Sequence, residues 1–228
     1  MLGKPAWMPA MPWKSSEVVG LTSSTSIVPA FAPISSGGLE LIRNLPPQQS
    51  VRRGHILMEQ DKPPQWVHVI HSGMVKLVYL SPEGNEQTIG LRSSGWYSGA
   101  VPALMNAPSL YSVQSMTACI VHAIPAQEFL ERLMQNTKVM RHFMRVLCQE
   151  LCSQASAQVE IMSHNAADRL VRFMQEREMC GDNWKAVDPL PVLKKLELAQ
   201  LLSISPEHLS RLLHKQGDDD DNPQPKAS

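Results

Sequence analysis

Three side chains within a single short stretch, Glu207, Ser210 and Arg211, have the chemistry needed to read the edges of base pairs. A guanidinium can fork onto O6 and N7 of guanine, a carboxylate can accept from the amino group of cytosine, and a hydroxyl serves several partners. They follow Ser205 and Pro206. Serine is a good N-cap, proline fits a first helical position where the amide needs no partner, and Glu207 suits the positive helix start. The spacing predicts a helix beginning there, buried along Leu209, Leu212 and Leu213, with Glu207, His208, Ser210 and Arg211 outward.

That helix needs a second one to hold it. Leu193, Leu196, Ala199 and Leu202 recur at helical spacing, Leu198 and Leu201 widen the stripe, and Ser203 and Ile204 interrupt it. Ser203 stands where such a turn often holds glycine, a substitution that costs on the order of 1 kcal/mol if the residue is left-handed. Two short helices around so tight a turn have the form of a helix-turn-helix. A helical pair with a polar outer face is also what plain core packing gives, but base-reading groups in the first two turns of the second helix favour double-stranded DNA. Lys194, Lys195 and Lys215 are then expected to meet phosphate. The segment ELAQLLSISPEHLSRLL resembles the DNA-binding segment of the Crp/Fnr family, and its E-x-x-S-R spacing is similar to the Fnr branch, whose half-site is TTGAT-like.

Upstream, residues 39–123 read as short strands separated by turns: Ile56 to Met58, Trp66 to Ile70, Met74 to Leu80, Gln87 to Leu91, Leu110 to Met116 and Cys119 to Ala123. Pro82-Glu83-Gly84-Asn85 is a hairpin signal. Many short strands at near-regular spacing predict an antiparallel sandwich or barrel. IHSGMVKLVYLSPEGNEQTIGLRSSGWYSGA and QSMTACIVHAIPAQEF resemble the β-roll sensor domain of the same family, extending the resemblance over roughly Val51 to Lys215. It implies an α+β chain with an antiparallel, jelly-roll-like β-roll, a long dimerisation helix and a small C-terminal helix-turn-helix domain.

In the cyclic-nucleotide branch of that family a Gly-Glu pair binds the ribose and an Arg about ten residues later binds the cyclic phosphate. Here the matching pair is Gly99-Ala100, the later position falls near Ser109-Leu110, and no Lys or Arg occurs from Ser93 to Glu131. Burying an anionic phosphate without a cation or many amide donors is heavily penalised, so loss of cyclic-nucleotide binding is expected. An iron-sulfur cluster of the Fnr kind needs cysteines grouped near the N-terminus, and none precedes Cys119. His68, His71 and His122 beside an uncharged pocket with Pro102, Met105, Pro108 and Tyr111 leave haem open, although histidines on strands are usually ordinary surface or core residues. No cofactor is assigned.

The stretch from about Ala126 to Ser163 is helical, and within it Met140, Met144, Leu147, Leu151, Gln154, Gln158 and Ile161 alternate by four and three, a seam suited to a second copy of the chain. The alternative is a helix packed on its own domain. The resemblance identifies this element as the dimerisation helix. Cys148 and Cys152, one turn apart, are either small hydrophobes or a redox or metal pair. Asn165 to Met179 forms a further amphipathic helix with Leu170, Val171, Phe173 and Met174 inward.

The expected divisions are an N-terminal arm over 1–38, rich in Pro, Ser and Gly and without sustained period; a β-roll sensor over 39–136; a dimerisation helix over 137–164; a helix-turn-helix domain over 165–217; and an acidic tail over 218–228. Trp7 and Trp13 in the arm are either a docking motif or part of a tail without function. After Lys215, where the family continues into a β-hairpin wing, the chain reads QGDDDDNPQPKAS. Four aspartates there repel DNA, with screening beyond about 10 Å at ordinary salt.

The 228 residues carry 21 Lys and Arg against 21 Asp and Glu, so DNA affinity must come from local charge. Four cysteines, none in a C-x-x-C pair, fit a reduced cytoplasm, and no run approaches the roughly 18 apolar residues of a membrane span. No catalytic triad, carboxylate pair or phosphate loop suggests an enzyme. Two readings stand: a homodimeric transcription regulator, whose resemblance also implies contact with RNA polymerase, and a sensor or scaffold of the same fold that does not bind DNA.

Overall fold

The computed structural model describes residues 47–179 and 193–221, with side-chain surroundings for 47–173 and 193–214. The expected arm over 1–38, the inward Met174 and the side chain of Lys215 therefore lie outside the described residues.

Among the described residues, eight strands form two antiparallel sheets. They are β1 (Gln49–Val51), β2 (Ile56–Met58), β3 (Trp66–Ser72), β4 (Val75–Leu80), β5 (Glu86–Arg92), β6 (Tyr97–Ser98), β7 (Ser112–Ser115) and β8 (Cys119–Pro125). One sheet runs β1-β8-β3-β6 and the other β2-β7-β4-β5. Alternation decides which faces meet: Val67, Val69, Val75, Leu77, Val113 and Val121 are buried in one apolar core, each contributing about 1.5–3 kcal/mol. The hairpin between β4 and β5 closes at the expected place, with the Gly84 amide donating to the Ser81 carbonyl at 2.9 Å and Gly84 at φ +84°. Strands β1 and β6 and the helix α1 (Ala100–Met105) are additions to the expected set.

The helical stretch from Ala126 is two helices rather than one, α2 (Ala126–Gln135) and α3 (Thr137–Ser163). Asn136 separates them with extended backbone, and its Oδ1 accepts from the amides of Lys138 at 3.0 Å and Val139 at 3.3 Å. Asparagine caps well for this reason, and the chain restarts in a new direction. Phe129 on α2 and Val139, Phe143 and Val146 on α3 join the β-roll core. Tyr97 gathers the aromatic group, 6.1 Å from Phe129 and 5.5 Å from Phe143 between ring centroids.

The head comprises α4 (Ala166–Met179), α5 (Lys195–Leu201) and α6 (Pro206–Asp221). Its core is Leu170, Phe173, Leu198, Ala199, Leu202 and Leu209. Leu196 and Val171, expected inward, are exposed. Helix α6 runs on to Asp221, so the four aspartates prolong it instead of opening a tail at 218. Among the described residues no helix is long and apolar enough to cross a membrane.

Candidate nucleic-acid interface and sensor pocket

The turn between α5 and α6 is built by local chemistry. Ser203 takes the left-handed conformation at φ +54°, the strain anticipated from its sequence position. Ser205 caps α6: its Oγ accepts from the His208 amide at 3.1 Å and its carbonyl from the Leu209 amide at 3.0 Å. Arg169 of α4 braces the end of α5, donating from Nε to the Leu202 carbonyl at 3.0 Å and from Nη1 to His164 at the end of α3 at 2.6 Å. A buried Leu209 then orients α6. Glu207 and Arg211 stand exposed on its first two turns. Ser210 is half-buried and its hydroxyl donates to the Pro206 carbonyl at 2.9 Å, which leaves it free only to accept from a base. Lys194 and Lys195 are exposed at the start of α5.

On the long helix α3, Met144, Leu151, Gln154, Gln158 and Ile161 are exposed. Met140 and Leu147 pack against the β-roll core of their own chain. At about 100° per residue, the open apolar strip consequently lies further round the helix than the expected seam, along Met144, Cys148, Leu151, Ala155, Val159 and Met162. Cys148 and Cys152 are exposed thiols, whereas Cys119 is buried and burial raises its thiol.

The sensor pocket lies under α1, lined by Trp96, Tyr97, Gly99, Ala100, Tyr111, Phe143, Leu147 and Glu150, and its free volume is only about 30 Å³. Gly99 is at φ +84°, and a Cβ there would come within 2.7 Å of the Trp66 carbonyl. Ala100, in the place of the family's carboxylate, is fully buried. The pocket is not uncharged as expected. Arg92, the residue just before the cation-free run, is buried beside Trp96, its guanidinium 5.9 Å from the ring centroid. Nε of Arg92 donates to Glu150 of α3 at 2.9 Å, Nη2 closes the second arm of the fork, and Gln154 donates to the same carboxylate at 2.9 Å. The charge at the pocket comes from Glu150 on α3, far along the chain from residues 93–131, and Arg92 reaches the pocket through that carboxylate. The histidines are not brought together: His71 and His122 meet edge to face at 6.1 Å, while His68 lines a separate cleft with Arg52 and His55. Burial, with His55 adding to it, lowers the His68 pKa to about 4.

Residues 48–136 match the model of the cyclic nucleotide-binding domain. The probable transcriptional regulator flp of Lacticaseibacillus casei is 24% identical over 195 residues, covering 85% of this chain and 86% of its own. Among solved structures, the c-di-GMP responsive global regulator CLP of Xanthomonas campestris superposes with a TM-score of 0.65 at 18% identity, over 82% of this chain and 93% of CLP. A CRP-family transcriptional regulator of Thermus thermophilus gives 0.59 at 13% identity, over 75% and 85%. In fold the chain is similar to regulators of the Crp/Fnr type. The matched span holds the β-roll and α2, and the long helix and the head follow it in the chain.

Proposed function

We propose that the chain is a homodimeric transcription regulator that reads an inverted repeat in double-stranded DNA through α6, pairs through α3 and acts with RNA polymerase. The observation that carries this reading is the exposed Glu207 and Arg211 on a recognition helix whose turn, cap and buried face are all in place. Arg211 takes guanine by a two-pronged hydrogen bond, Glu207 accepts from cytosine, Ser210 accepts a further bond, and Lys194, Lys195 and Lys215 meet phosphate. Two-fold symmetry places the half-sites about one helical turn apart. Binding-site selection followed by gel shift at two salt concentrations tests this, and recovery of no inverted repeat would return the chain to the scaffold reading.

The sensor, on the same proposal, does not take cyclic AMP or cyclic GMP. Ala100 offers nothing to a ribose, the guanidinium of Arg92 is held by Glu150, and a free volume of about 30 Å³ is far short of a nucleotide. Calorimetry with either nucleotide is expected to show no heat of binding up to millimolar concentration, and micromolar binding would refute it.

A further inference from the structure

Helix α5 does more than support α6, because it is docked on the sensor domain. Strand β5 is the outer strand of its sheet, so alternate amides and carbonyls along it face outward without a strand partner. The side chain of Gln200 fills that position. Its Oε1 accepts from the Thr88 amide at 2.8 Å and its Nε2 donates to the Glu86 carbonyl at 2.9 Å, the pattern a neighbouring strand would make. Beside it, Lys76 Nζ on β4 donates to Glu197 Oε1 at 2.6 Å, with both side chains nearly buried. Burial alone would raise the Glu197 carboxyl, but hydrogen bonds from Lys76 and the Lys194 amide and the two lysine charges hold it below the usual carboxylate range. The Glu197 carboxyl is thus ionised at neutral pH. Leu193 and Leu201 complete the contact by packing on Met74, Leu91 and Met116.

The contact leaves the reading surface open, since Glu207 and Arg211 stay exposed. It therefore does not work by covering the head. Four residues beyond Thr88, the same strand carries Arg92, whose fork holds Glu150 on α3. Strand β5 is tied at one end to the head and at the other to the long helix, next to the sensor pocket.

We propose that the β4–β5 hairpin is a latch that fixes the orientation of the helix-turn-helix head, with Gln200 as its positioning residue and β5 as its link to α3. In a dimer, two heads held at fixed orientation engage two half-sites with little further loss of freedom, whereas released heads must be ordered at each binding event. This deepens the DNA-reading proposal and rests on it for one of its three tests.

The first test is hydrogen exchange on the full chain. In Gln200→Ala the Thr88 amide is expected to exchange at least about tenfold faster than in the parent, because its outward amide has no other partner in the contact. Unchanged protection at Thr88 overturns the latch whatever the chain does with DNA. The second is gel shift on an inverted repeat and on a single half-site. Gln200→Ala is expected to lower affinity for the repeat about tenfold while leaving the half-site within about twofold. An equal loss on both probes, or none on the repeat, also overturns the latch. Should the parent bind neither probe, the DNA reading fails and Thr88 exchange alone decides. The Lys76→Met and Glu197→Gln changes are expected to be non-additive in thermal unfolding, since either removes the same ion pair, and additive effects would count against the contact.

Discussion

At the scale of single residues, the proposed DNA reading gives Arg211 and Lys195 different roles, and substitution separates them. Arg211→Ala is expected to cost roughly 1–3 kcal/mol and to relax specificity at one base pair of each half-site. Lys195→Ala is expected to weaken all sequences alike and flatten the salt dependence, because a phosphate contact carries no sequence information. Site selection with each variant checks both. His68 gives a separate prediction. Its folded pKa of about 4 lies below the ordinary 6.5, so on acidification the unfolded chain binds a proton before the folded one. The stability associated with neutral His68 is complete above about pH 6.5 and is lost as the pH falls towards 4, by at most about 3 kcal/mol. His142, lowered by burial and by Arg145, acts in the same direction. Denaturant titrations between pH 7 and 4.5 are expected to show a shallower loss for His68→Asn than for the parent. The identities at 207, 210 and 211 and the strain at Ser203 were legible in the sequence because they follow from local rules for caps and turns. That Ser210 gives its proton to Pro206, or that His68 is buried beside His55, depends on neighbours that no local rule supplies.

At the scale of elements, the strand spacing and the hairpin at Pro82-Glu83-Gly84-Asn85 were readable, since alternation and turn chemistry are short-range signals. The stretch from Ala126 read as continuously helical because residues on both sides of Asn136 favour helix, although the expected division at 136/137 falls where the Asn136 cap restarts the chain. The apolar periodicity of α3 was readable, but a period of three and four fits two faces of a helix some tens of degrees apart. Packing on the β-roll decides between them, claiming Met140 and Leu147 and leaving Met144 and Leu151 open. Replacing Met144 and Leu151 by glutamate is therefore expected to yield a folded monomer by sedimentation, as the charges fall in the proposed seam and not in the core. A dimer that survives this change would place the interface elsewhere.

At the scale of the whole molecule, a chain with no net charge relies on where its charges lie. Three ion pairs among the described residues stand at junctions between parts: Arg92–Glu150 joins the β-roll to α3, Lys76–Glu197 joins it to α5, and Glu160 on α3 receives Arg172 of α4 at 3.0 Å. Removing one member of such a pair is expected to be far more damaging than its surface equivalent, because the partner is left charged and dehydrated. Arg92→Met alone should lower the midpoint of thermal unfolding markedly, whereas Lys62→Met, whose partner Glu59 is at the surface, should leave it nearly unchanged. Docking of α5 on β5 also bears on solubility. An outer strand with open amides and carbonyls is a template for sheet-to-sheet association between molecules, and in this chain the glutamine of the reading head blocks that template. A sensor domain separated from its head would expose the strand from Glu86 to Gly90, so the head acts as a built-in guard against aggregation of the domain that carries it.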